Sequence, residues 1–314
     1  MGEQTRRQFL HAVGATISAA ACPFPTFGQK PESTQSMSLG FSLYGMKNLK
    51  TEEAIRTLAE IGFDSVELCL IPGWDAAPNR MEPRRRKDIR RLLENTGQNL
   101  SALMESVSLS GTAESQRPVH ERIKIAAELG HQLKPDKPPL IETTAGSGEW
   151  NDLRNQLRDN LGGWTKVAEA AKTVLALKPH RRGVVDCPEH GLWLINQVNS
   201  PWIKLNYDYS HFAYRKISLA DSIRDMLPHS RFIHVKDTVM QNGNARFMLP
   251  GESGQFDYVN FLNLVQEAGY RGDICCEVSA MVFSQKTYDP IAAANKCYRN
   301  LSSAFEQAGI QRET

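Results

Sequence analysis

A charge excess of either sign is what this chain most lacks, since 37 Lys and Arg stand against 35 Asp and Glu, a formal net charge of +2 at pH 7. Such a balance projects no long-range field for a polyanion and argues against a nucleic-acid partner. The local basic run Arg84-Arg85-Arg86-Lys87, with Arg90 and Arg91, falls in a helical pattern and reads as a solvated face. Cysteine is also sparse and unpatterned. After Cys22 come only Cys69, Cys187, Cys275, Cys276 and Cys297, an odd set without CxxC spacing, which argues against a disulfide framework or a zinc knuckle. Three of these lie in strand-like runs, as small core residues do.

A transmembrane anchor is missing too. The N-terminal apolar run from Ala12 to Ala21 falls short of the roughly 20 residues that span a bilayer. It follows Thr5-Arg6-Arg7-Gln8-Phe9-Leu10 and opens into the Pro-, Ser- and Gln-rich stretch from Pro23 to Ser36, so the segment resembles a twin-arginine signal peptide. Export to the periplasm is the expectation. Ala19-Ala20-Ala21-Cys22 also offers a lipoprotein cleavage site, although the usual Leu at its first position is absent, so a lipid anchor at Cys22 stays open. Residues 1–35 are therefore read as signal and linker, and 36–314 as one domain.

The remaining stretch of about 280 residues suits one α/β barrel, and a 41% hydrophobic content can bury a large core. From Leu39 onward, strand-like runs alternate with amphipathic helical stretches, as repeated βα units do. Eight strands are expected: Leu39 to Tyr44, Ser65 to Leu70, Leu100 to Glu105, Pro139 to Thr144, Thr173 to Lys178, Ile203 to Asp208, Phe232 to Lys236, and Ile274 to Val278. Between them, Thr51 to Ile61 reads as a helix with an N-cap, an acidic first turn and a stop at Gly62. The last helix starts at Asp289-Pro290 and runs to about Gln307, before Gly309. An open doubly wound sheet is disfavoured, because no Gly-rich phosphate loop follows the first strand. The fold class is α/β, a (β/α)8 TIM barrel, with its active site at the C-terminal ends of the strands.

Those strand ends are unusually polar. They carry Glu67, Glu142, Lys178-Pro179-His180, Asn206-Tyr207-Asp208 followed by His211, His234-Val235-Lys236-Asp237, and Glu277. One buried polar residue can be hydrogen-bonded core, but several converging carboxylates need a compensating charge. A divalent metal ion would supply it, and mixed carboxylate and imidazole ligation suits Mn, Co, Zn or Fe better than Ca. The aromatics Tyr44, Trp150, Tyr207, Tyr209 and Phe212 could stack on a sugar ring.

The segments Asp208-Tyr209-Ser210-His211, Phe232-Ile233-His234-Val235-Lys236-Asp237, Leu249-Pro250-Gly251-Glu252-Ser253-Gly254 with Phe256-Asp257, and Glu277, in this order, resemble the xylose isomerase-like superfamily of sugar phosphate isomerases and epimerases. The resemblance runs from Leu39 to about Ala308. It implies a divalent ion (Mn, Co, Zn or Mg) on Asp208, His234 and Glu277. It further implies two carboxylates that move a proton through an enediolate. The family's strand-5 Glu is absent, however, and Lys178 stands in its place. Lys178 then becomes a one-sided base or oxyanion donor, or an ion-pair partner of Glu142. His180, two residues on, could complete the metal sphere.

The catalytic candidates are Lys178, Glu277 and Glu142; the substrate-binding candidates are Lys236, His211 and Glu67; the metal candidates are Asp208, His234, Glu277 and His180. The expected activity is a metal-dependent isomerase or epimerase acting by proton abstraction on a sugar or keto-sugar, in a chain that could form a homo-oligomer. A keto-glycoside lyase or hydratase and a non-catalytic carbohydrate-binding barrel are the alternatives. An endonuclease-IV-like phosphodiesterase is disfavoured, since its three metals need more His and carboxylate ligands and a basic DNA surface.

Overall fold

The computed structural model describes residues 36–313, so the signal-like segment, Cys22 and the linker lie outside the described residues. Among the described residues, eight parallel strands close a barrel: β1 (Ser38–Ser42), β2 (Ser65–Cys69), β3 (Asn99–Met104), β4 (Leu140–Thr144), β5 (Leu175–Lys178), β6 (Ile203–Tyr207), β7 (Ser230–Val235) and β10 (Asp273–Cys276). Each pairs with its neighbour in order, and β10 closes the ring on β1 through pairs such as Leu39 with Ile274.

Helices cover the outside, because the outward strand side chains are apolar and need a partner layer. The main ones are α1 (Thr51–Ile61), α2 (Pro83–Thr96), α3 (Ala113–Leu133), α4 (Trp150–Ala170), α5 (Pro188–Val198), α6 (Leu219–Met226), α7 (Tyr258–Glu267) and α9 (Pro290–Gln307), with the single turn α8 (Ala280–Phe283) after β10. No helix among the described residues is long and apolar enough to cross a membrane.

Inside the ring, side chains separate by height. Ala102, Phe232 and Cys275 pack together with Leu140 as an apolar floor. Two residues further along their strands, the period-2 alternation places Glu142 above Leu140, His234 above Phe232 and Glu277 above Cys275. Burial of the strand-end carboxylates thus follows from the same pleat that fills the core.

The first and last helices end where the sequence places them, but α1 is capped differently. Lys50, not Thr51, holds the N-cap position and gives no side-chain bond. Asp75, from the loop after β2, instead accepts from Thr51 N–H at 2.9 Å and from its hydroxyl at 2.8 Å. The same carboxylate is bonded by Arg85, which also grips Glu52 at 2.6 Å. Part of the basic run is therefore not a solvated face. Arg84 and Arg91 are open, whereas Arg85 and Arg86 retain only 21% side-chain exposure, with Arg86 donating to Met81 O at 2.6 Å. The five cysteines among the described residues are free thiols and buried.

A hairpin that the strand count did not anticipate follows β7. Strands β8 (Asp237–Gln241) and β9 (Asn244–Met248) pair antiparallel around Asn242-Gly243, both at positive φ. Asn-Gly is the strongest short-range hairpin signal, so this element was legible. The Pro250–Ser253 loop that follows is held by Asp237, which accepts from Gly251 N and Ser253 N at 2.9 Å each, from Ser253 Oγ at 2.6 Å and from Tyr258 OH at 2.9 Å. Gly251 is required there: its φ is +73, and a Cβ would lie 2.9 Å from the Asn300 side chain. The motif after His234 is therefore first a clamp that fixes the wall of the barrel mouth.

Candidate active site

At the C-terminal ends of the strands lies a cavity of about 570 Å³. Glu142, Lys178, His180, His211, Lys236 and Glu277 all line it, with Tyr44 and Phe247 as aromatic walls. Of the five aromatics considered for sugar stacking, only Tyr44 reaches this cavity. Tyr207 and Phe212 are fully buried packing, Tyr209 donates to Ile217 O at 2.8 Å, and Trp150 stacks on His190 with ring centroids 4.0 Å apart.

The charged centre is built from four strand ends. Lys178, at the end of β5, donates to Glu277 Oε1 at 2.8 Å and to His234 Nδ1 at 3.0 Å. Lys236, one residue beyond β7, donates to Asp208 Oδ2 and to Glu277 Oε2. The two ammoniums thus hold both oxygens of Glu277, and Lys236 bridges it to Asp208. The carboxylate partner of Lys178 is Glu277, and not Glu142, the neighbouring-strand partner considered from the sequence. Asp208 is further held through Oδ1, which accepts from Ser210 N at 3.2 Å and Ser210 Oγ at 2.5 Å.

His234 lies beneath this layer. Its Nε2 faces Glu67 Oε2 at 3.0 Å, while Nδ1 faces two donors, Lys178 Nζ and Asn206 Nδ2, the latter at 3.1 Å. Two donors on Nδ1 require a lone pair there, which places the imidazole proton on Nε2, toward Glu67. Glu67 is fully buried and absent from the cavity lining, so the structure removes it from substrate contact and makes it the group that orients His234. Asn206 also donates to Glu142 Oε2 at 3.3 Å and so links the imidazole to the second carboxyl.

Electrostatics divide the two carboxyls. Burial pushes Glu142 up to about 7, against the opposing pull of Lys178. Burial acts the same way on Glu277, but Lys178 and Lys236 outweigh it and hold that carboxyl well below the usual range. Asp208 is likewise held low, chiefly by Lys236, against its own burial. Lys178 loses charge preference to burial yet regains more from Glu142 and Glu277, so it stays protonated. His180 and His211 pack ring on ring at 4.1 Å. Burial, with Lys178 beside one and Lys236 beside the other, lowers them to about 4 and about 3, so both are neutral near pH 7.

Three candidate metal-ligand groups occur among the described residues, two of them here: Asp208 with His211 and Glu277, and Glu67 with His234 and Cys275. The expected set of Asp208, His234, Glu277 and His180 is therefore distributed differently: His211 joins the carboxylates, His234 groups with Glu67, and His180 stands against the cavity wall. This donor set does not fit a divalent ion. Lys236 Nζ lies between the two carboxylates that an ion would bridge, and the His234 lone pair is already taken by Lys178. A divalent ion would therefore meet the Asp208 and Glu277 oxygens only by displacing the ammoniums that now hold them, and beside a retained ammonium it is repelled.

Sequence reasoning did not single out Arg181 or Phe247. Arg181 donates to Ala245 O at 2.6 Å and stands 5.3 Å from the Phe247 ring, tying the hairpin over the cavity. Phe247 in turn lies 5.2 Å from Lys236 Nζ. The hairpin signal at Asn242-Gly243 would have pointed to Phe247, whereas Arg181, in the loop after β5, meets the hairpin only through a contact 64 residues apart in sequence.

A family model described as xylose isomerase-like TIM barrel matches residues 55–300. A Mus musculus protein provisionally named hydroxypyruvate isomerase is 28% identical over 93 residues, which is 30% of this chain and 31% of that one. The chain thus aligns with about a third of this curated relative's length. Among solved structures, a 3-keto-D-glucoside 4-epimerase from E. coli is 17% identical over 85% of this chain and 100% of its own, with a TM-score of 0.68. A barrel from Mycobacterium smegmatis, in complex with magnesium, is 16% identical over 86% of this chain and 97% of its own, with a TM-score of 0.66. At these identities the structural likeness is one of fold.

Proposed function

The chain belongs to the xylose isomerase-like TIM barrel family, and on that premise we propose that it is a sugar isomerase or epimerase-type enzyme that abstracts a proton beside the carbonyl of a keto-sugar. The observation that carries this reading is the placement of the Glu142 carboxyl in one cavity with the Lys178 and Lys236 ammoniums. A base beside two oxyanion-stabilising donors is what enolisation requires.

Each group has a defined task. Ionised Glu142 removes the C–H proton, and the electron pair moves onto the carbonyl oxygen. Each ammonium has three N–H donors and spends two on protein acceptors, which leaves one apiece for the developing oxyanion. Neutral His180 can donate to and accept from sugar hydroxyls, whereas His211, whose Nδ1 accepts from Arg181 N–H at 3.3 Å, has only its Nε2 proton to donate, and Tyr44 offers a ring face. Hydroxypyruvate isomerase and 3-keto-glucoside epimerase, the names borne by two relatives, describe chemistry of this kind.

Glu277 is held ionised by both lysines, whereas burial pushes Glu142 up to about 7; Glu105, also in the cavity lining and raised by burial, is paired with Arg122 and stands away from the lysines' hydrogen bonds. One base suits a proton transfer on a single face of the enediolate, and it equally suits elimination from a 3-keto-glycoside, the second reading. Incubation in D₂O with hydroxypyruvate, ketohexoses and a 3-keto-glucoside, followed by NMR, tests both. Deuterium at the carbon beside the carbonyl is the expected result, and release of the aglycone would identify the lyase. No exchange and no cleavage across the panel would overturn the enzyme reading in favour of a carbohydrate-binding barrel.

Export is part of the proposal and rests on Arg6-Arg7 before the apolar run. Changing both to Lys is expected to retain the precursor in the cytoplasm, as read by fractionation. Undiminished delivery past the inner membrane would refute it.

A further inference from the structure

We propose that the positive charge a divalent ion would bring to this cavity is built into the chain, with the Lys178 and Lys236 ammoniums in the cation positions, so that the site operates without a metal ion. This deepens the proposed proton transfer and concerns the same cavity, but its test reads ion binding and not turnover.

The atoms that would ligate an ion are already engaged. Lys236 Nζ touches one oxygen of Asp208 and one of Glu277, the two carboxylates that a shared ion would need. Lys178 Nζ takes the other Glu277 oxygen at 2.8 Å and the His234 lone pair at 3.0 Å. Between them the lysines engage both oxygens of Glu277 and the acceptor nitrogen of His234, whose other nitrogen is turned to Glu67.

Charge gives the same answer. Two ammoniums facing Asp208 and Glu277 balance those two carboxylates, which leaves Glu142, pushed up to about 7 by burial, as the remaining carboxyl beside them. Neither lysine can withdraw to solvent easily. Lys178 is 2% exposed and Lys236 5%, and Phe247, tied down through Arg181, stands beside the Lys236 ammonium. In sequence terms, Lys178 adds a cation where a carboxylate ligand would otherwise stand, and Lys236 follows two residues after His234 on the same face.

The chemistry that follows is distinct. An ion chelates two adjacent sugar oxygens together, whereas each ammonium offers one directed hydrogen bond. Substrate recognition then depends on two separate oxygens at a spacing set by the lysines, and chelators leave the enzyme untouched.

Metal analysis of the folded protein, purified without chelator, decides the matter, together with calorimetric titration by Mn²⁺, Co²⁺, Zn²⁺ and Mg²⁺. Wild type is expected to carry well under one ion per chain and to show no saturable binding tighter than about 1 mM. Lys178→Glu combined with Lys236→Met, which restores a carboxylate and removes the bridging ammonium, is expected to bind Mn²⁺ at least about tenfold tighter. If that variant does not fold, Lys236→Met alone, which removes the ammonium bridging Asp208 and Glu277, gives the same comparison, and the wild-type result stands by itself. One ion per chain in wild type, lost on Asp208→Ala, would overturn the inference while leaving the proton-transfer reading intact. A metal-free protein inert toward every keto-sugar would overturn that reading and leave this one standing.

Discussion

Glu142→Gln is expected to lower solvent-proton exchange into a keto-sugar by about 10² or more, the usual worth of a positioned general base. Gln keeps the shape and can still accept from Asn206, so the fold and the lysine pair should survive. The pH profile gives the sharper result. Burial pushes Glu142 up to about 7, and only its ionised form is a base, so kcat/KM should rise through pH 7 with the loss of one proton and then level off. In the Gln variant that limb disappears. A profile that keeps its limb near 7 after the substitution would remove Glu142 from the chemistry.

Stability carries the opposite sign for the same group. A carboxyl whose pKa is higher in the fold than in the unfolded chain favours the protonated folded state, so its contribution is largest at low pH. That contribution fades as pH rises through the window from 4.5 to about 7. Asp208 and Glu277 behave conversely. Their pKa values are depressed in the fold, so their stabilisation is present above the ordinary carboxylate range and is lost on acidification. Urea denaturation across pH, compared between wild type and Glu142→Gln, separates the two contributions.

Lys178→Met is expected to have two effects. Removing one oxyanion donor should lower turnover by about 10² or more. It also leaves Glu277 Oε1 and His234 Nδ1 without their shared donor, and breaking a buried ion pair costs about 3–5 kcal/mol. Because Lys236 still holds the other Glu277 oxygen and Asn206 still faces His234, the lower end of that range is expected. Activity must therefore be expressed per folded molecule, with the folded fraction measured by circular dichroism. A variant that loses stability but keeps its rate would make Lys178 a structural counter-ion only, and proton abstraction would then rest on Glu142 and Lys236.

Other parts of the molecule show why some features yield to sequence reading and others do not. Period-2 alternation is a local property of the strand, so Glu142, His234, Lys236 and Glu277 could be assigned to the inside of the ring from their spacing. Local signals also bounded α1 and α9, through Gly62 and Asp289-Pro290. The capping of α1 could not be read in this way, since the group that satisfies Thr51 is Asp75, which arrives from the loop after the next strand. Arg85 left the solvated face for the same reason.

By itself the sequence determined a barrel of βα units, the strand ends that carry its polar groups, and the presence of Lys178 where the resemblance calls for a carboxylate. Only closure of the barrel decided how these groups pair. Glu67 lies 167 residues from His234, and Lys178 lies 99 from Glu277, and such partners meet because the ring places β2, β5, β7 and β10 around one axis. An ion-pair network is fixed by distances across that axis, which no periodicity along a single strand encodes. How a buried carboxylate is partnered is therefore decided in the tertiary structure, where Lys178 and Lys236 reach Glu277 from either side.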